Sequence, residues 1–159
     1  MDYYNHLDNF ISYLAAERGA SRHTIEAYNR DIMHFFKYLE ENALDISKRE
    51  SAERYLRHLR EIGKKTRSIV RAFSAIRSFF NFLIADGKIT NNPLEDVEMP
   101  KYQPPIPDVL SEQEMVALIE QPEGTKTSLR DRTVLELLYA TGLRVSELIQ
   151  LKKSDVNLE

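Results

Sequence analysis

The stretch Lys65–Asp86, KTRSIVRAFSAIRSFFNFLIAD, decides how the first half of the chain folds. Its apolar residues recur at intervals of three and four, which is the spacing of an amphipathic helix. The residues that would share the apolar face are Ile69, Phe73, Ile76, Phe80 and Leu83. Such a face must pack against other helices. The stretch therefore predicts the core helix of a bundle.

Three more helices are predicted before this one. The first covers about residues 3–16, and the second begins after Ser21, which is a good N-cap residue. The third follows Ser47, where Glu50 completes a capping-box pattern. Because short turns join the four helices, residues 1–90 are predicted to form a compact helical domain.

Proline marks the end of this domain. Five of the six prolines lie within residues 93–107, and proline is excluded from helix interiors. Residues 91–109 are therefore predicted to be an extended interdomain linker. In residues 110–159, capping patterns at Ser111 and Ser128 and a break at Gly142 predict three short helices. Residues 155–159 are compatible with the start of a strand but have no partner strand among the predicted elements, so the predicted fold class of the chain itself is all-α.

Composition excludes several classes of protein. The 159 residues are 42% hydrophobic and 30% charged, which is typical of a globular chain and not of a disordered one. The absence of cysteine excludes disulfides and a cysteine nucleophile. No signal-peptide pattern opens the chain, and its apolar runs are short. We therefore expect a cytoplasmic protein without a membrane partner.

Charge is distributed unevenly along the chain. The net charge is −3, yet residues 60–88 contain seven basic and two acidic side chains. A helix here would place cations and hydroxyls opposite its apolar face, which suits the DNA major groove. The alternative is an ordinary solvated face, although such faces usually alternate in sign. The candidate DNA-binding residues are Lys64, Lys65, Thr66, Arg67, Arg71, Ser74 and Arg77.

A second candidate DNA-binding surface lies at the start of the second helix. It consists of Ser21, Arg22 and His23. The alternative for these three residues is helix capping and solubility, and by themselves they favour that alternative.

The segment Ala140–Leu148, ATGLRVSEL, contains a different kind of candidate. A helix stops at Gly142, and Arg144 opens the next short helix. An arginine held by a tight turn in apolar surroundings needs an anionic partner. Glu147, three residues later, is within reach of Arg144. On spacing alone, an internal ion pair between Arg144 and Glu147 is favoured.

The same segment resembles the first catalytic-arginine motif of the tyrosine recombinase, or phage integrase, family, and most closely that of its Xer-type bacterial members. The N-terminal half resembles the SAM-like core-binding domain of that family, and the start of its catalytic domain follows the linker. The matching pieces are Ser21-x-x-Thr24-x-x-x-Tyr28-x-x-Asp31, Asn92-Pro93-Leu94 and Leu110-Ser111-Glu112.

This resemblance implies site-specific recombination of double-stranded DNA through a 3′-phosphotyrosyl intermediate, with no metal, cofactor or small-molecule ligand. Arg144 would stabilise charge on the phosphoryl oxygens, and Glu147 would orient Arg144. Recombinase subunits would act as a homo- or hetero-tetramer on the DNA. Residues 110–159 would be the helical start of a mixed α/β catalytic domain.

The chain also departs from the family pattern. It contains no His-x-x-Arg motif and no tyrosine in the nucleophile context of the family, so we expect no DNA cleavage by these residues alone. Two alternatives therefore stay open, namely a DNA-binding module without catalysis and, less favoured, a helical protein-interaction domain. We also expect residues 1–90 to fold well, and residues 111–159 to be marginal or to self-associate.

Overall fold

The computed structural model of the chain describes residues 2–104, 106–124 and 126–156. Helices account for the regular structure of these residues, in agreement with the predicted all-α fold class. They are α1 Tyr3–Ala16, α2 Arg22–Glu41, α3 Arg49–Glu61, α4 Thr66–Ala85, α5 Glu112–Glu120, α6 Ser128–Thr141, α7 Val145–Gln150 and the 3-10 turn Lys153–Asp155. The chain divides into two compact units, Met1–Pro104 and Pro105–Glu159.

Helices α1–α4 form the predicted four-helix bundle. Helix α2 contacts α1, α3 and α4, and α1 also contacts α4. Aromatic rings join these helices at the centre of the core. The ring of Phe79 lies 5.7 Å from that of Phe10 and 5.6 Å from that of Phe36, both in edge-on geometry. Aromatic pairs in this geometry add to the stabilisation from burial alone.

Helix α4 is the core helix that the sequence predicts. All five residues of its predicted apolar face are buried. The helix is also long and apolar enough to cross a bilayer by length and composition alone. Packing accounts for that composition, because eight of its side chains are buried within the bundle.

Of the four predicted helix caps, those at Ser21 and Ser111 are confirmed and those at Ser47 and Ser128 are wrong. The Ser21 hydroxyl accepts from the Thr24 backbone N–H at 3.2 Å, and Ser111 and Glu114 form a capping box. The predicted box at Ser47 is absent, because the Ser47 N–H and hydroxyl donate to the Asp45 carboxylate at 2.9 and 2.7 Å. This Asx turn delays the helix, so α3 begins at Arg49.

Helix α6 begins at the predicted place with a different cap. Thr127, not Ser128, is the flanking residue, and its carbonyl accepts the Asp131 N–H at 2.9 Å. The Asp131 carboxylate accepts from Arg130 at 2.8 and 2.9 Å. Hydrogen bonds from Arg130 and Thr127 lower the pKa of Asp131, so an ionised carboxylate lies in the first turn, where it complements the helix dipole.

The segment after the bundle differs from the predicted extended linker over its first part. Residues 92–94 and Val97 are buried against the bundle. The Asn92 side-chain amide donates to the Arg77 carbonyl at 3.2 Å and to Asn81 at 2.7 Å, and its oxygen accepts from the Leu94 N–H at 2.9 Å. Apolar burial and these polar contacts fold the segment back onto α4.

The second unit contains α5–α7. Helix α5 packs against α6, and α6 packs against α7. Within residues 106–124 and 126–156, no side chain is fully buried, and several large apolar side chains are exposed. This packing agrees with the expectation of a marginal second unit, whose stability stays a prediction. Of the possible terminal strand, residues 157–159 lie outside the described part of the chain.

Candidate nucleic-acid interface

The turn before α4 and its first residues present three unpaired cations. Lys64, Lys65 and Arg67 are exposed, and in the described part of the chain none of them has a carboxylate oxygen within 4.0 Å. The turn is held because the Lys64 N–H donates to the Leu59 carbonyl at 3.0 Å, and the Lys65 carbonyl accepts from Ser68 at 2.8 Å. Thr66, also exposed, is the first helical residue. Positive side chains therefore gather beside the positive end of a well-anchored helix.

Arg71 forms an ion pair within the bundle, although the sequence predicts a guanidinium that is directed only toward solvent. Its Nε donates to Asp31 Oδ2 at 2.9 Å, and its Nη2 donates to Oδ1 at 3.3 Å. The Asp31 side chain is 9% exposed and the Arg71 side chain is 46% exposed. The hydrogen bond to Asp31 raises the pKa of Arg71, so the guanidinium stays charged. Because a guanidinium has five N–H donors, three of them remain available outside this pair.

Arg77 is also directed toward its own chain. Its Nη2 donates to the Leu94 carbonyl at 3.0 Å, and its Nε is buried with no hydrogen-bond partner in the part of the chain that the structure describes. The sequence places Arg77 to one side of the cationic face, and the structure shows it half-buried and in contact with the folded-back segment, so a DNA contact by Arg77 stays a prediction. Ser74 is exposed as predicted, and its hydroxyl donates to the Val70 carbonyl at 2.8 Å. The Ser74 oxygen can still accept a hydrogen bond.

The second candidate surface is occupied by local contacts. Ser21 caps α2, and Arg22 forms an ion pair with Glu26 at 2.8 Å. That contact lowers the pKa of Glu26. Across residues 2–104, no hydrogen bond or ion pair joins Ser21, Arg22 or His23 to α4. The geometry matches the capping and solubility alternative, and a DNA contact by these residues stays a prediction.

The turn that presents Arg144 is built by Gly142. Helix α6 ends there with Gly142 at φ +67°, and the Gly142 N–H donates to the Leu138 carbonyl at 2.9 Å. Left-handed backbone favours glycine, which has no Cβ. The chain then extends through Arg144, which flanks the start of α7. The backbone of Arg144 is thus held between the end of α6 and the start of α7.

Glu147 makes two contacts with Arg144. One carboxylate oxygen accepts the Arg144 backbone N–H at 2.8 Å, and the other accepts from Nη1 at 3.1 Å. These two hydrogen bonds lower the pKa of Glu147, so the carboxylate is ionised at neutral pH. The ion pair that spacing alone favours is therefore present. The Arg144 side chain is nevertheless 82% exposed, and most of its donors are free to bind an anion.

Two basic residues that lie near Lys64 and Arg71 were not among the candidates predicted from the sequence. Arg30 and His34 line a cavity that is also lined by Lys64 and Arg71. Their spacing of four residues on α2 places them on one face, and this was the signal available in the sequence. In residues 2–104, 106–124 and 126–156, no three His, Asp or Glu side chains gather in a way that could hold a metal ion.

Two family models match the chain. Residues 7–87 match "Phage integrase, N-terminal SAM-like domain", and residues 108–159 match "Phage integrase family". The first match covers the bundle with its basic helix, and the second covers the Arg144 turn.

Similar proteins named tyrosine recombinase XerD occur in several bacteria. The protein of Staphylococcus epidermidis is 42% identical over 156 residues, and that of Halalkalibacterium halodurans is 43% identical over 160 residues. These alignments cover 96% and 97% of this chain and 53% of each relative. The chain therefore spans about half the length of the curated relatives it matches. Together, the family models, these relatives and the four-helix bundle show that the chain belongs to the phage integrase family of tyrosine recombinases.

Proposed function

We propose that this chain binds double-stranded DNA as the DNA-holding part of a site-specific tyrosine recombinase. The observation that carries the proposal is the group of exposed cations at Lys64, Lys65 and Arg67, which form no ion pair with the described residues, in a chain whose net charge is negative. Family membership supports the same proposal. An unpaired basic group on a rigid helix is a typical electrostatic footprint of a nucleic-acid site.

Lysine and arginine side chains would contact different parts of the DNA. Lys64 and Lys65, as compact point charges, bind backbone phosphates. Arg67 and the free donors of Arg71 have the planar geometry that reads guanine edges. Because Asp31 fixes the orientation of Arg71, this guanidinium loses little further freedom on binding, which favours affinity.

Arg144 would supply the first catalytic arginine of the recombinase. In the proposed reaction, a tyrosine attacks the scissile phosphodiester, and the exposed guanidinium stabilises charge that develops on the phosphoryl oxygens. Glu147 orients that guanidinium through the 3.1 Å contact with Nη1. The nucleophile has no match in these 159 residues, so we propose that they bind DNA without cutting it. Recombinase subunits would assemble on the DNA as a tetramer.

The salt dependence of duplex binding tests the DNA proposal. Fluorescence anisotropy with a labelled duplex is measured from about 50 mM to about 200 mM salt, since each phosphate contact releases counterions and steepens the dependence. We expect Lys65→Ala and Arg67→Ala each to weaken binding. The slope of log K against log salt should become shallower by about 1 for each phosphate that a variant no longer binds.

Arg49→Ala is the matched control for this experiment. Arg49 is an exposed helical arginine in the same bundle, but Glu53 pairs with it at 2.7 Å. Its removal is expected to leave the slope unchanged. Duplex binding that is absent, or that responds equally to all three variants, contradicts the proposal and favours a protein-interaction domain.

The catalytic proposal has its own test. In a chain that also carries the tyrosine nucleophile, a nicked suicide substrate traps the covalent protein–DNA adduct. Loss of one preorganised transition-state donor typically reduces the rate by about a hundredfold to a thousandfold. We expect Arg144→Ala to reduce adduct formation by that order while leaving duplex affinity nearly unchanged. Full adduct yield with this variant contradicts the role of Arg144 and leaves a DNA-binding module without catalysis.

A further inference from the structure

A small cavity lies where α2, α3 and α4 meet beside the Lys64 turn. Its volume is about 180 Å³. A water molecule occupies about 30 Å³ of liquid, so this volume accommodates several waters or one phosphoryl group. The apolar part of its lining comes from Leu59, Ile69 and Ala72, which are buried.

The polar side chains of the cavity are mostly cations and donors. Arg30, Lys64 and Arg71 contribute three positive charges, and Asp31 contributes the one carboxylate among the described lining residues. That carboxylate is already bonded to Arg71 at 2.9 and 3.3 Å. The Ser68 hydroxyl also lines the cavity. The cavity therefore has a surplus of positive charge and of hydrogen-bond donors.

Two of the three cations of the cavity form no ion pair among residues 2–104. Neither Arg30 nor Lys64 has a carboxylate oxygen within 4.0 Å among residues 2–104. Glu26, one turn before Arg30, is paired with Arg22 at 2.8 Å, and Arg30 adds a weaker electrostatic attraction to the same carboxylate. Three cations that line one cavity repel one another, and an anion bound there would reduce that repulsion. The apolar lining strengthens such an attraction because it lowers the local dielectric constant.

We propose that this cavity binds one backbone phosphodiester of the DNA duplex, through Arg30, Lys64 and the free donors of Arg71. The proposal rests on the proposed DNA-binding function and adds Arg30 to the residues that perform it. Asp31 acts as a positioning residue, since it fixes the Arg71 guanidinium from the buried side. A phosphate held in a cavity, unlike one on an open helix face, would set the register of the helix on the DNA.

Charge-neutral variants test the cavity in the folded chain. Arg30→Gln and Lys64→Gln are each expected to weaken binding equally for specific and scrambled duplexes. The affinity advantage of the unsubstituted chain over each variant should shrink about threefold to fourfold between about 50 mM and about 200 mM salt, as expected for one phosphate contact. Because both residues hold the same phosphate, the double variant should change the slope by about 1 and not by 2.

Arg57→Gln is the matched control, because Arg57 is an exposed arginine of the bundle that lies outside the cavity lining. A slope change equal to that of Arg30→Gln, or additive changes in the double variant, would overturn the single-phosphate site. Methylphosphonate scanning of the duplex gives a second readout on the unsubstituted chain. One neutralised phosphate should weaken its binding, with no further effect in Arg30→Gln, and the absence of such a position also overturns the proposal.

Inorganic phosphate separates a DNA site from a free-anion site. If phosphate shifts the NMR signals of Ser68 and Arg30→Gln abolishes the shift, yet the duplex slope is unchanged, the cavity takes a free anion and the proposal fails. If binding responds to Arg67→Ala but to neither cavity variant, the cavity fails and the proposed function stands. If the unsubstituted chain binds no duplex, the proposed function itself fails.

Discussion

Removing the Arg71 side chain tests whether its ion pair with Asp31 stabilises the bundle. Arg71 lies on α4, the helix that we propose to bind DNA. Arg71→Ala leaves Asp31 as a buried carboxylate without its guanidinium partner. Breaking a fully buried pair in this way costs about 3–5 kcal/mol, whereas an exposed pair contributes about 0–1 kcal/mol. The Arg71 side chain is 46% exposed, and one of its two hydrogen bonds is long at 3.3 Å. We therefore expect a loss of about 2 kcal/mol in the free energy of unfolding, between these two limits.

The assay is urea denaturation followed by far-UV circular dichroism, with a double-mutant cycle. Asp31→Asn and the double variant complete the cycle, and the coupling energy isolates the pair from other effects of each substitution. We expect a coupling of about 1 kcal/mol or more. Arg67→Ala serves as the control, because Arg67 is exposed on the same helix and has no ion pair with any described residue, so its removal should change stability by less than about 0.5 kcal/mol.

Two results would refute this reasoning. One is an Arg71→Ala variant as stable as the Arg67→Ala control. The other is a double variant whose loss equals the sum of the two single losses. Either result means that the contact between Arg71 and Asp31 does not stabilise the bundle. The Arg71 guanidinium would then be fully available to bind DNA, as the sequence predicts.

The remaining predictions concern other parts of the chain. Asn92→Ala should destabilise the bundle by about 2 kcal/mol, since a partly buried amide loses three hydrogen bonds, and hydrogen exchange at residues 94–97 should accelerate. Burial and the charge of Asp31 raise the pKa of Tyr55 above its ordinary value of 10.0. The contribution of the neutral Tyr55 to the free energy of unfolding is therefore fully present below about pH 10 and is lost as the pH rises above it. Tyr55→Phe should flatten this loss, by up to about 1.4 kcal/mol per pH unit, in urea titrations at about pH 9–11; an unchanged slope contradicts the assignment. Amides of α5–α7 should exchange much faster than those of α4, because no side chain is fully buried among the described residues of the second unit; strong protection of α5–α7 in a proven monomer refutes this.

The sequence was most informative where structure depends on near neighbours. The repeat of apolar residues in α4 predicted its buried face, and Ser111 with Glu114 predicted a cap that closes within three residues. The wrong prediction of a cap at Ser47 also depends on a near neighbour, because the Ser47 hydroxyl donates to Asp45. Two local signals of similar strength were present there, and only three-dimensional geometry decided between them.

Contacts between distant residues were beyond reach of the sequence. Asp31 and Arg71 are 40 positions apart, and nothing in either helix alone indicates that they meet. Arg77 and Leu94 meet because the segment after the bundle folds back, which the prolines there did not predict. The sequence therefore predicted the exposure of Lys64, Lys65 and Arg67, but it did not predict the contacts that Arg71 and Arg77 make with distant parts of the chain.

Backbone amide NMR during titration with a duplex tests most directly the claim that the start of α4 holds DNA. At low salt, we expect the largest shift changes in residues 62–74, with further changes near Arg30 in α2, and a return to the free positions as salt is raised. Changes concentrated instead in α3 around Arg49, or shifts that do not respond to salt, would contradict the account.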